Sequence, residues 1–135
     1  MLPRVQFSHW LSTDEISIDT ETNNIDAGYL AYVSSGVAVL ADATDDTKPA
    51  QFLIIGKNKA RVGGRYSKVK IESGVTISAG DRLYLSATTP GTVTNTAPSG
   101  SGNIVQVIGF AKANGTEAGG TVDAIININY DYTII

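Results

Sequence analysis

The chain has 135 residues, 42% of them hydrophobic and 17% charged, with a formal charge of −3 and no cysteine. That length suits one domain whose core needs no staples, and the lack of cysteine excludes disulfides, thiolate nucleophiles and cysteine-bound metals. The negative charge gives no overall pull toward nucleic acid. No run approaches the roughly 18 apolar residues of a membrane span, and a charge content below the usual ~25% leaves a surface of Thr, Ser, Asn and Gly, suited to packing on other protein.

Residues 1–24 read as an extended arm with one or two strands, closed by the turn pair Asn23-Asn24. Its start, "MLPRVQFSHWLSTDE", lacks the apolar run of a signal peptide, so the sequence predicts no export by its own leader. Leu2, Val5, Phe7, Trp10 and Leu11 are its apolar residues and its candidates for docking on a neighbour. His9, the single histidine, lies among them, which excludes a histidine metal cluster and favours packing over catalysis.

From Ile25 to Ile135 the pattern is that of strands. "GYLAYVS", "GVAVLA", "QFLIIGK", "SKVKIE", "RLYLS", "NIVQVIGFA" and "TVDAIININYDY", with "EISID" before them, are short, rich in β-branched residues and Tyr, and all but the last have Gly, Pro, Asn, Asp or Ser within a few residues of their end. "VQVIGFA" and "VDAIININ" set apolar residues at every second position, which turns one strand face to a core. Helical crossovers are missing, so the expectation is an all-β barrel or sandwich over 25–135.

Charge divides the chain. Before Pro49 stand Asp14, Glu15, Asp19, Glu21, Asp26, Asp42, Asp45 and Asp46 against Arg4 and Lys48. Lys57, Lys59, Arg61, Arg65, Lys68 and Lys70 then follow with no acid between Gly56 and Ile71. Such a basic hairpin either pairs with the acidic first third or meets an acidic partner. Nucleic acid is disfavoured, because Tyr66 is the only aromatic there and single strands bind on stacking platforms. Lys57, Lys59, Arg61 and Arg65 join the arm residues as contact candidates.

The body also reads as duplicated, 25–60 against 77–113. Ala27-Gly28 falls on Ala79-Gly80, Tyr32 on Tyr84 and Ser34 on Ser86; beyond a loop, Ile55-Gly56 falls on Ile108-Gly109 and Lys59-Ala60 on Lys112-Ala113. The glycine of each Ile-Gly pair marks a bulge or a close backbone approach. Between the copies, "GTVTNTAPSGSGN" has no lysine and no following helix, so it is a turn-rich excursion with a short polar strand and no phosphate loop. No G-x-S-x-G elbow occurs, and "DATDD" lacks the glycine and final Glu of a calcium loop. The chain reads as non-enzymatic, with no cofactor and no metal.

Val75 to Ala113, "VTISAGDRLYLSATTPGTVTNTAPSGSGNIVQVIGFAKA", resembles a module of tailed-phage virion proteins, in particular the small β-rich capsid decoration (cement) proteins, and "IDAGYLAYVSSGVAVLADATDDTKPAQFLIIG" resembles the module before it. The resemblance covers about Ile25 to Ile128. It implies a virion protein made in the host cytoplasm that binds the major capsid protein on the outer face of the shell, self-associates as a homotrimer, and has neither nucleic acid nor membrane as a partner. The same runs are similar to tail-fibre β-domains, which implies as the alternative a receptor-binding module whose loop Thr92 to Asn103 contacts host glycans.

Overall fold

The computed structural model describes residues 15–116 and 120–135. Among them it is all-β, without a helix. The strands are β1 (Ile16–Ser17), β2 (Leu30–Ser34), β3 (Val37–Leu40), β4 (Phe52–Gly56), β5 (Lys59–Arg61), β6 (Gly63–Lys70), β7 (Arg82–Leu85), β8 (Val93–Thr94), β9 (Ile104–Val105), β10 (Val107–Ala111), β11 (Thr121–Asn127) and β12 (Thr133–Ile134). The alternating segments contain β1 to β4, β7 and β9 to β11 and overlap β6, while the Thr-rich excursion supplies β8. The charged β5 and the C-terminal β12 lie outside the expected segments.

Two five-stranded sheets share one pairing scheme. The first runs β1-β5-β4-β2-β3 and the second β6-β11-β10-β7-β8, with every named pair antiparallel. Each sheet curls until its edges approach: a parallel bridge joins Asp19, just past β1, to Val37 of β3, and another joins Ile71, just past β6, to Val93 of β8. Val62 is the single residue between β5 and β6, so the chain crosses from one sheet to the other at one bend. A short pair of β9 with the C-terminal β12 adds a third, two-stranded sheet.

The bends before β2 and β7 do the same job in each sheet. Gly28 at φ 100° and Gly80 at φ 89° take a conformation that side chains disfavour. The Gly28 N–H donates to the Ile54 carbonyl at 2.7 Å and the Gly80 N–H to the Ala111 carbonyl at 2.8 Å. Ile54 and Ala111 therefore hold equivalent places, 57 positions apart. The sequence alignment instead set Ile55 on Ile108. The repeated Ile-Gly pairs lie at different depths because the second sheet has the longer loops after β7 and β8.

Both Ile-Gly sites carry register shifts, between Ile54 and Gly56 on the β5 side and between Val107 and Gly109 on the β7 side. The second shift changes the phase of β10. Gln106 and Ile108 are buried, yet so is Ala111, and Phe110 points out. Gln106 is tolerated inside because its amide is fully used: Ala50 N–H donates to its Oε1 at 2.8 Å, and its Nε2 donates to the Ala50 and Asn129 carbonyls at 2.8 and 2.9 Å.

The core has two parts, and they treat the sheets unequally. The larger joins the inward residues of the second sheet (Val69, Leu83, Leu85, Ile108, Val122, Ala124, Ile126) to Leu30 and Leu53 of the first. The smaller lies on the other face of the first sheet, where Ala31, Ala38, Phe52, Ile54 and Ala60 are covered by Ile18, Ile25 and Tyr29. Buried on both faces, β4 reads as the unbroken apolar run "FLII". Among the described residues the outer face of the second sheet has no such cover.

Candidate contact surfaces

Leu2, Val5, Phe7, Trp10 and Leu11 lie outside the described residues, as does His9. The remainder of the arm is tied to the first sheet. Ile16 pairs with Ala60, and Thr20 is buried. Asn58, at φ 58° in the β4–β5 turn, is the fastening point: its N–H donates to Thr20 Oγ1 at 2.9 Å, its Oδ1 accepts from Thr20 N–H at 3.0 Å, and its Nδ2 donates to Glu21 Oε2 at 2.9 Å.

The four basic candidates stand along one line of chain from the β4–β5 turn to β6, but the structure gives them different tasks. Lys57 pairs with Glu21 at 3.4 Å, the pairing with the acidic first third that the charge pattern offered. Arg65 grips Asp123 with two nitrogens, Nε at 3.0 Å and Nη2 at 2.9 Å. Arg61, at the end of β5, is turned onto β6: Nη2 donates to the Arg65 carbonyl at 3.1 Å and the guanidinium lies 5.9 Å from the centre of the Tyr66 ring. Lys59, exposed on β5, has neither an ion pair nor a side-chain hydrogen bond among the described residues.

The carboxylates are occupied by turns and ion pairs. Asp42 Oδ1 accepts from the N–H and hydroxyl of Thr44, and Asp45 Oδ1 from those of Thr47, so "DATDD" is a pair of Asx turns. Thr22 and Glu21 donate to Asp19, and Asn95 and Ser78 donate to Asp81. These hydrogen bonds hold the Asp19, Asp45 and Asp81 carboxyls below their usual range, and Arg65 does so for Asp123. Among the described residues no three His, Cys, Asp or Glu side chains are placed to hold a metal ion.

The uncovered face of the second sheet brings together residues the sequence reading did not single out. Strand register lines up Arg82, Phe110, Ile125 and Arg65 across β7, β10, β11 and β6. Phe110 is 49% exposed in the middle of that row. Beside it lies a hollow of about 530 Å³ lined by Gly80, Arg82, Val107, Gly109, Phe110, Ile125 and Asn127. Gly109, which lines it, has no room for a side chain: a Cβ there would overlap the Ile125 carbonyl. A second shallow cavity continues the strip past Val107 to Val62 and Ile128. Exposed apolar strips on a rigid sheet are where protein partners attach. The sequence signal for this one was the glycine before Phe110, which breaks the alternation.

Compared with family models, with curated proteins and with solved structures, the chain matches none.

Proposed function

We propose that this chain is a structural protein of a tailed-phage particle that attaches to the outer surface of the capsid and stabilises it. The observation that carries the reading is the bare outer face of the second sheet, an apolar row edged by arginines on a hydrogen-bonded scaffold. Added to it is the resemblance of Val75 to Ala113 to virion β-modules. Such a protein acts by mass action. Binding the assembled shell and not the loosened one shifts the equilibrium toward assembly by RT ln(1 + [L]/Kd), about 2.7 kcal/mol per site at a hundredfold excess over Kd. Repetition over a lattice lets weak individual contacts hold.

Beside that face, the residues assigned to shell contact are Leu2, Val5, Phe7, Trp10 and Leu11, with Lys59 as an uncommitted cation of the basic hairpin. Lys57, Arg61 and Arg65 keep the hairpin in shape through their internal partners. Exposed ion pairs such as Lys57–Glu21 are worth little in place, so a partner carboxylate can displace them at small cost. Gold-labelled antibody against the chain, applied to purified virions of the source phage, tests the reading. Label spread over the capsid is the expected result. Label confined to the tail would move the assignment to a receptor-binding module, and unlabelled particles would refute a virion role.

A further inference from the structure

The two large sheets close their own edges through the bridges Asp19–Val37 and Ile71–Val93. β12 does not, and its one strand neighbour is β9. Ile135 turns its N–H to the Asn103 carbonyl and its carbonyl to the Gly102 N–H. By the alternation of an antiparallel ladder, Ile134 turns both of its backbone groups the other way, where no bond meets them among the described residues. We infer that residues 1–13 of the same chain cover this open edge, with Val5 to Leu11 added to β12 as a further strand. The contact belongs to the free chain and does not use the Phe110 face; shell contact by the arm, where the capsid reading holds, replaces it.

The arm leaves the domain on the right side to do this. β1 runs antiparallel to β5, with Ile16 on Ala60 and Ala60 on Ile54, so the chain before Ile16 departs toward the end of β4 at which Gln51 stands. It cannot continue along β5, which ends at Arg61 and crosses to β6 at Val62. Gln51 is also where the segment leading into β12 is held: its Nε2 lies 3.5 Å from Tyr130 Oη, and Tyr132 Oη donates to the Asp46 carbonyl at 2.9 Å. Thirteen extended residues span about 43 Å, more than the roughly 37 Å width of a compact chain of this length.

Surface chemistry and charge select the same occupant. Tyr130 and Ile134 are the two most exposed large apolar side chains of the described residues. In "RVQFSHWLS" an extended backbone puts Val5, Phe7 and Leu11 on one face, with Gln6, Ser8, Trp10 and Ser12 on the other, so the segment has an apolar side to lay against them. Asp46 and Asp131, both exposed, make no side-chain hydrogen bond or ion pair among the described residues, and Lys48, the cation nearest Asp46 in the chain, is paired with Asp45 at 3.9 Å. A second copy placed edge to edge would bring the same acids to the contact from both sides. Residues 1–13 bring Arg4 and His9 and no carboxylate, which is the complementary charge.

Amide hydrogen exchange of Ile134, read by nuclear magnetic resonance in the full chain, tests the inference. The expected rate is about tenfold or more below that of an unstructured amide, and unchanged on dilution. Phe7→Asp is expected to return it to the unstructured value. Asp46→Lys/Asp131→Lys is expected to raise it, and Arg4→Glu added to that pair to bring the protection back. Far-ultraviolet circular dichroism should confirm that each variant folds. An unprotected Ile134 in the wild type, protection that survives Phe7→Asp in a folded protein, or protection indifferent to Asp46→Lys/Asp131→Lys would each overturn the inference. Protection lost on dilution would place the arm on another copy and overturn it too. Antibody labelling of virions reads the proposed function separately, so the two can fail independently.

Discussion

Replacing Gln106 by leucine should cost this protein about 2–4 kcal/mol, although the new side chain is nearly the same size and more apolar. The figure follows from the groups left behind. Ala50 is fully buried, and both its N–H and its carbonyl depend on the Gln106 amide. Each buried group left unsatisfied costs about 1–3 kcal/mol. The Asn129 carbonyl belongs to an exposed residue and can turn to water, so it adds little. Against that loss stands about 1–2 kcal/mol for burying the leucine. A domain of this kind is stable by about 5–15 kcal/mol, so urea titration followed by circular dichroism will resolve the change. Gln106→Glu separates polarity from shape. It faces a carboxylate toward two carbonyl oxygens, so burial raises its folded pKa, and its deficit should shrink as pH is lowered and the group becomes neutral. A Gln106→Leu variant within about 1 kcal/mol of wild type would refute the view that this amide joins β10 to the loop before β4.

The two glycines that sequence alignment treats as equivalent should respond differently to alanine. Gly109→Ala drives a Cβ into the Ile125 carbonyl of the neighbouring strand and should cost about 2–3 kcal/mol or more, whereas Gly56, with nothing within 4 Å of its added Cβ, should change stability by about 0.5 kcal/mol or less; thermal melts giving equal shifts would contradict the register. Acid sensitivity should come from hydrogen-bonded carboxylates. Asn95 and Ser78 depress the folded pKa of Asp81, and Arg65 depresses that of Asp123. Their stabilisation is therefore complete above the unfolded carboxylate pKa of about 4 and is lost as pH falls through the lower folded values. Urea midpoints measured from neutral to acid pH should fall less steeply for Asp81→Asn/Asp123→Asn than for wild type, and parallel curves would disprove the assignment.

What could be read from the residues follows how local the deciding physics is. The alternation in β11 is honest because the register shift against β6, between Val122 and Ala124, puts the extra residue on β6, so Val122, Ala124 and Ile126 turn inward where period two puts them. The Ala-Gly bends are equally local, since a positive φ selects glycine before any long-range contact forms. β10 differs in kind. Its phase is set by a register shift against β7 and by a polar side chain whose partners lie 56 and 23 residues away in sequence. Period two puts Gln106 and Phe110 on one face, yet Gln106 is buried and Phe110 exposed, and the exposed row stayed hidden. The basic hairpin failed in a milder way: charge counting found it and offered the acidic first third as its partner. Only the fold could divide its cations into Lys57 paired with that segment, Arg65 paired with Asp123 from the far end of the chain, Arg61 folded onto Tyr66, Lys70 over the Tyr29 ring, and Lys59 and Lys68 left over. That division bears on function directly. A surface of six free cations would attract any polyanion, whereas one whose charges are mostly answered internally selects by shape, and here the shape on offer is an aromatic ring standing beside a hollow floored by glycine.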